Sequence, residues 1–156
     1  MSKKRKALKM QTVFNLDSCI MCITNRSSKL FGDTLDRELR KIGLNRNIWL
    51  SLYFIDQNGQ ITQNELANLV DIKGPSMVKI IRRLDDDRLV QTRQDDNDHR
   101  QKIIQLTKDG EDKLMKSLPT VTHFQGLMTK GIPQADLNTV ARVMDQMVKN
   151  AEQNFD

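Results

Sequence analysis

Basic side chains cluster in a short segment near the middle of the sequence. Between residues 73 and 83 the chain carries four cations and no acid: Lys73, Lys79, Arg82 and Arg83. Cations on a rigid element that is narrow enough for the major groove can neutralise the phosphates of a DNA duplex. An ordinary solvated helix can carry a similar charged face, so this segment alone leaves both interpretations open.

The apolar pattern predicts two short helices around this segment. Thr62 and Glu65 have the spacing of a capping box, in which a hydroxyl and a carboxylate satisfy exposed amides at a helix start. Residues 71–74 are typical of a turn, and Pro75 suits the first turn of the next helix, where an N–H is not needed. The residues expected to face inward on this second helix are Met77, Ile80, Ile81 and Leu84. The sequence therefore predicts a helix-turn-helix whose second helix has a cationic face.

Two helices are predicted before this unit. Apolar residues recur at three- and four-residue steps from Val13 to Ile42, which is the period of one helical face. This first helix should stop near Gly43, since glycine readily adopts the left-handed conformation that ends helices. A second helix is expected from Ile48 to about Asn58.

A hairpin and two further helices are predicted after the helix-turn-helix. Leu89–Arg93 and Lys102–Leu106 suit strands, and the polar residues 95–100 between them should project as a loop or wing. The next helix follows Thr107, and Pro119 is expected to kink or interrupt it. Pro133 opens the last helix, whose apolar face comprises Leu137, Val140, Ala141, Met144, Met147, Val148 and Ala151.

Composition favours one ordinary globular domain with extensions. The chain has 156 residues, of which 38% are hydrophobic and 29% charged, enough apolar material for a core. The formal net charge of +5 equals the five cations Lys3, Lys4, Arg5, Lys6 and Lys9, so the rest of the chain is formally neutral. Affinity for DNA must therefore come from local patches. The basic tail is either a flexible arm that contacts DNA or simply disordered.

No membrane segment is expected, because the longest apolar stretch, Ile48 to Ile55, is far below the roughly 18–20 residues that span a bilayer. Asn15 and Asp17 interrupt the apolar region that a signal peptide would need, so a cytoplasmic location is expected. No cofactor, metal site or enzymatic constellation is predicted. The two histidines, His99 and His123, cannot assemble a conventional multi-histidine site.

Cys19 and Cys22 lie three residues apart in a helical pattern. This spacing suits neither a structural disulfide framework nor, without further ligands nearby, a zinc site. Both are expected to be reduced thiols that pack as small hydrophobic residues. A redox-sensing role for either one is the alternative, and it would require a lowered pKa and access to solvent.

The order of elements and several motifs resemble the MarR family of bacterial winged helix-turn-helix regulators. The segment Asp98-His99-Arg100, followed by residues 106–110 (LTKDG), is similar to the family's D-x-R wing and L-T-x-x-G helix start. Residues 61–67 (ITQNELA) are similar to the start of the helix that precedes the recognition helix. Residues 131–133 (GIP), with Leu137, resemble the family's entry into its final helix.

This resemblance implies a mainly α fold with a small β-hairpin, in which a winged helix-turn-helix lies between N- and C-terminal dimerisation helices. The expected segments are a basic tail (1–10), an N-terminal dimerisation helix (11–45), the DNA-binding domain (46–110) and C-terminal dimerisation helices (111–156). Arg88 stands where the family commonly has Gly, which implies either a left-handed non-glycine residue or a different helix ending.

The function implied is that of a sequence-specific DNA-binding regulator, a homodimer that recognises an imperfect palindrome. Arg100 would reach into the minor groove, Asp98 would orient the loop, and His99 would be exposed or contact a phosphate. The resemblance further implies a repressor that a small aromatic or phenolic ligand releases. The alternatives are the thiol-based sensor and a winged-helix protein-interaction module without specific DNA binding. The expected DNA-binding residues are Lys73, Gly74, Pro75, Ser76, Val78, Lys79, Arg82, Arg83, Asp98, His99 and Arg100.

Overall fold

The computed structural model describes residues 19–95 and 101–155, which divide after Val121 into two compact units. The first unit contains helices α1 (Ile20–Arg40), α2 (Arg46–Asn58), α3 (Gln63–Val70) and α4 (Gly74–Asp86), and a small sheet. Helix α5 (Lys108–Met128) begins in this unit, and its end belongs with α6 (Gln134–Phe155) to the second unit. Among the described residues, no helix has the length and apolar character needed to cross a membrane.

The turn between α1 and α2 is held by side chains at both helix ends. Gly43 has a φ of 74°, as expected for the residue that ends the first helix, and Asn45 caps α2 by accepting the Ile48 N–H. Asp36 of α1 accepts the Arg46 N–H at 2.8 Å and the Arg40 side chain at 2.7 Å. These hydrogen bonds, that from Arg46 first, lower the pKa of Asp36. A carboxylate therefore ties α1 to the first turn of α2, where helix geometry favours a negative charge.

The helix-turn-helix predicted from the sequence is confirmed. Thr62 accepts the Glu65 N–H, and the Glu65 carboxylate accepts the Thr62 N–H at 2.9 Å, which completes the capping box of α3. Asp71 then adopts a left-handed conformation, and Pro75 lies in the first turn of α4. Both helices place their apolar faces in one core, which comprises Leu39, Leu44, Ile48, Trp49, Leu52, Ile55, Ile61, Leu66, Ala67, Val70, Met77, Ile81, Leu84, Val90, Ile104 and Leu114.

The sheet has one strand more than the predicted hairpin. Strands β2 (Val90–Gln94) and β3 (Lys102–Leu106) pair antiparallel, which confirms the hairpin. The third strand, β1 (Ile61–Thr62), pairs with β3 in register with Ile104 and Ile103, and the strand order is β1-β3-β2. Two residues are too few for an alternating apolar pattern, so the sequence does not predict β1, and only its pairing with β3 defines it as a strand.

Helix α4 ends in a Schellman motif that uses a non-glycine residue. Arg88 has a φ of 56°, and the Arg88 and Leu89 N–H groups donate to the Asp85 and Leu84 carbonyls at 2.9 and 2.8 Å. Of the two possibilities that the sequence left open, the left-handed residue is therefore correct. The Leu84 side chain beside this turn is fully buried, and packing of that kind offsets the cost of the conformation.

Thr107 joins this turn to the start of α5. Its N–H donates to the Leu89 carbonyl at 3.1 Å, and its hydroxyl donates to the Arg88 carbonyl at 2.6 Å. The same hydroxyl oxygen accepts the Gly110 N–H at 3.1 Å, so it also caps the helix. A Cβ at Gly110 would collide with the Leu89 carbonyl oxygen. We call these residues the α4–α5 joint: Arg88, Leu89, Thr107 and Gly110.

Helix α5 runs through Pro119 without interruption, so the interruption expected there is wrong, and the kink stays a prediction. The residues around the proline explain this result. Leu114 and Ser117 are buried, Leu118 packs against the core, and the Trp49 indole N–H donates to the Ser117 hydroxyl at 2.8 Å. These contacts outweigh the single backbone hydrogen bond that a proline removes from a helix.

Replacing Gly110 by alanine should destabilise the fold, because the new methyl group meets backbone atoms that cannot rotate away. We expect Gly110→Ala to lower the free energy of unfolding by about 3 kcal/mol, the upper end of overpacking costs. Urea denaturation followed by circular dichroism measures this change. Gly126→Ala in the same helix is the matched control, since the new Cβ meets nothing within 4 Å. We expect this variant to raise the free energy of unfolding by up to about 1 kcal/mol, because alanine favours a helix more than glycine does. Equal stability of the two variants would contradict the proposed close contact.

Candidate nucleic-acid interface

The outer face of α4 is cationic because its inner face supplies the core. Met77, Ile81 and Leu84 are buried at helical spacing, which turns the intervening positions outward. We call these exposed residues the reading face: Ser76, Val78, Lys79, Arg82 and Arg83. Lys73 and Pro75 are also exposed at the start of the helix, and Gly74 is half-buried. The structure thus brings together all the expected interface residues between 73 and 83.

The charges on the reading face are not equivalent. Arg83 lies 3.8 Å from the carboxylate of Asp87, and both side chains are more than half exposed. Within residues 19–95 and 101–155, neither Lys79 nor Arg82 takes part in an ion pair. An exposed pair of this kind contributes little to stability, yet it offsets part of the Arg83 charge. Lys79 and Arg82 are therefore the reading-face cations without a paired acid in the described part of the chain.

The base of the wing is braced by residues that the sequence reasoning missed. Arg93 of β2 donates to the Gln60 side chain at 3.2 Å, and the Asp95 N–H donates to the Gln101 carbonyl at 3.0 Å. Gln60 precedes β1, and Arg93 reaches it because both outer strands pair with β3. No sequence signal links two residues that lie 33 positions apart. The expected contacts of Asp98, His99 and Arg100 lie outside the described residues.

An open groove of about 540 Å³ lies beside the wing base, lined by residues of α2, β3 and α5 and of the turn after α2. Its lining includes the carboxylates of Asp56 and Glu111 as well as the side chain of Gln60. The Glu111 carboxylate lies 3.2 Å from the Lys108 ammonium, which offsets part of its charge. The lining therefore combines polar groups with the carboxylate of Asp56 and the paired carboxylate of Glu111.

Cys19 and Cys22 occupy the N-cap and third positions of α1, and both thiols are free. These are the positions that Thr62 and Glu65 hold in the capping box of α3, so the two side chains face each other. The Cys22 N–H donates to the Cys19 carbonyl at 3.0 Å, and the Cys19 side chain does not cap the helix. The nearby N–H and thiol of Cys22 lower the pKa of Cys19. The bond to Cys19 raises the pKa of Cys22, which is the more exposed residue. Among the described residues, no group of three potential metal ligands occurs.

The second unit exposes many large apolar side chains. The exposed ones near the end of α5 and on α6 are Leu127, Met128, Ile132, Val140, Val143 and Val148. Val140 is 60% exposed and lies on the apolar face predicted for the last helix. Contiguous exposed apolar surface usually marks an interaction site.

The two helices joined by a tight turn and the braced hairpin define a winged helix-turn-helix. A family model described as the MarR family matches residues 42–101. The uncharacterised HTH-type regulator YwoH of Bacillus subtilis is 33% identical over 89 residues, which cover 57% of this chain and 64% of YwoH. The repressor IacR of Pseudomonas putida is 23% identical over 122 residues, 78% of this chain and 73% of IacR.

A solved structure agrees with these sequence matches. The Mycobacterium tuberculosis regulator MOSR, crystallised in complex with DNA, superposes with a TM-score of 0.69 and 26% identity, covering 87% of this chain and 98% of MOSR. Residues 42–101 of the chain are thus similar to the MarR family, and the similarity to MOSR extends over most of the chain. The alignment with YwoH spans just under two thirds of that protein's length.

Proposed function

We propose that the chain is a DNA-binding transcriptional regulator that acts as a homodimer in the bacterial cytoplasm. The observation that carries this proposal is the exposed cationic reading face of α4, presented by a helix-turn-helix whose inner face is buried. Phosphates attract such a face, and a helix of this width enters the major groove. The DNA complex of the MOSR structure and the repressor name of IacR support this assignment.

The proposed contacts follow from chemistry and position. Lys73, Lys79, Arg82 and Arg83 bind phosphates or base edges, and the start of α4, with Gly74, Pro75 and Ser76, approaches the bases. Arg100 enters the minor groove, where a planar guanidinium suits a narrow, electronegative channel. Asp98 orients that loop, and His99 contacts a phosphate or solvent.

Dimerisation is the second part of the proposal. Among the described residues of the second unit none belongs to the buried core, and a second copy of the chain would cover its exposed apolar side chains. Residues 11–45 and 111–156 then form the dimerisation segments, and 46–110 forms the reading head. Two-fold symmetry implies an imperfect palindrome whose half-sites lie about one duplex turn apart.

The third part of the proposal is repression that a small aromatic or phenolic ligand relieves. Such a ligand acts by binding more tightly to a dimer whose heads are wrongly spaced for DNA.

Removing individual cations should separate two kinds of DNA contact. We expect Lys79→Ala or Arg83→Ala to weaken binding to all duplexes and to lower the salt slope by about one. Arg100→Ala should weaken binding to the selected palindrome by about 1–3 kcal/mol. Fluorescence anisotropy at several salt concentrations measures both effects. Lys116→Ala, an exposed cation on α5, is the control and should change neither.

Unchanged affinity in all three variants would reject the assigned interface. Binding that responds to salt but never selects a sequence would instead favour the protein-interaction module. Selection of bound duplexes from random DNA therefore accompanies the salt series.

A charge in the apolar face of α6 should prevent dimerisation. We expect Val140→Glu to shift the protein from dimer to monomer, since an unpaired carboxylate in an apolar interface is costly, and to weaken binding to the palindrome. Sedimentation equilibrium measures the shift. Gln146→Glu adds the same charge on the opposite face of the helix and should leave the dimer intact. A wild-type monomer, or a dimer that tolerates Val140→Glu, would refute the proposed interface.

Thiol-based sensing is the second candidate function, favoured by the facing thiols of Cys19 and Cys22. Hydrogen peroxide would oxidise the two thiols to a disulfide. Its O–O bond breaks, and the two oxygen atoms leave as two water molecules that take up the two thiol hydrogens. The lowered pKa of Cys19 makes it the attacking thiolate.

We expect hydrogen peroxide to remove two hydrogens from the protein mass and to weaken DNA binding, with dithiothreitol restoring both. Cys19→Ser should abolish the mass change and the response. Mass spectrometry and anisotropy on the same samples make this test. A disulfide that leaves DNA affinity unchanged would remove the sensing role.

A further inference from the structure

Val78 is an apolar residue in the middle of a cationic surface. It is 47% exposed, next to Lys79 and one helical turn before Arg82. Residues one turn apart share a helix face, so the isopropyl group of Val78 and the guanidinium of Arg82 point to the same side of α4. Both Val78 and Arg82 are exposed, whereas Met77 and Leu84 on the inner side of α4 are fully buried.

A single exposed apolar residue needs no explanation by itself. The composition of the reading face supplies the further argument. It carries no asparagine or glutamine, the side chains that pair with adenine, and its polar groups are one hydroxyl and three cations. Lysine and arginine pair best with guanine, so hydrogen bonding from this face favours G·C pairs. Val78 cannot hydrogen-bond to a base, so any contact that it makes with a base edge is apolar.

The major groove offers one apolar group at the base edges, the 5-methyl group of thymine. The cations around Val78 attract the helix to the duplex. They thereby bring the valine side chain close enough to contact this methyl group. Arg82, which has no ion-pair partner among the described residues, is better placed than Arg83 to bind a guanine on the same side. Val78 and Arg82 are four residues apart, which is about 6 Å along the helix axis. This distance corresponds to about two base-pair steps of a duplex.

We propose that Val78 selects a thymine in each half-site through its 5-methyl group, within about two base pairs of a guanine bound by Lys79 or Arg82. This inference rests on the proposed DNA-binding function and adds the base that the recognition helix reads by apolar contact.

The test uses the full chain and the duplex that it selects from random DNA. Each thymine of that duplex is replaced in turn by deoxyuridine, which removes the methyl group and keeps every hydrogen-bonding group. We expect one thymine per half-site to be sensitive, with a loss of about fourfold in affinity, the effect of burying one such group. In Val78→Ala the same replacement should cost nothing.

Two further variants sharpen the comparison. Val78→Thr keeps the branched shape but replaces a methyl group by a hydroxyl, and it should reduce the uracil effect. Leu69→Ala truncates a residue of α3 that is 46% exposed, and it should retain the full effect.

The outcomes are distinguishable. Wild-type protein that tolerates uracil at every thymine, or Val78→Ala that keeps the same sensitive position, overturns this inference and leaves the proposed function standing. A selected half-site that contains no thymine also overturns it. Failure to select any duplex overturns the proposed function, and the inference with it.

Discussion

The α4–α5 joint is the contact on which the arrangement of this protein depends. Thr107 uses its N–H and its hydroxyl to bind the backbone of Arg88 and Leu89, and the same hydroxyl oxygen begins α5. Gly110 allows the helix to approach because it has no side chain to collide with Leu89. The end of α4, the start of β2 and the start of α5 are therefore joined directly by these hydrogen bonds.

The joint also explains why one motif contains both a threonine and a glycine. In the segment LTKDG of residues 106–110, Leu106 ends β3, Thr107 caps α5, and Gly110 gives clearance. Three requirements at fixed spacing are more specific than any one of them. These requirements explain in physical terms the motif by which the sequence resembles the MarR family.

Electrostatics at the interface is local. The formal excess of charge lies in the first ten residues, and the remaining cations and acids balance. The reading face is nevertheless cationic because the nearby acids lie beyond one end of it: Asp85, Asp86 and Asp87 follow Arg83, and Asp87 lies beside it. Selection by such a surface depends on the placement of a few side chains, since the general attraction of the body for DNA is weak.

Much of the first unit could be predicted from the sequence. The capping box at Thr62, Pro75 in the first turn of α4 and the buried Met77 and Leu84 were all expected, and all are confirmed. Each depends on hydrogen bonds or side-chain periodicity within a few consecutive residues, which the order of amino acids specifies directly.

The remaining features were decided by tertiary structure. Strand β1 exists because Ile61 meets Ile104, the Gln60–Arg93 brace follows from that pairing, and α5 continues through Pro119 because packing outweighs one lost hydrogen bond. Each joins segments that are distant along the chain. The sequence by itself determined the local elements and the charge of α4, whereas these contacts form only when separate segments are buried against one another.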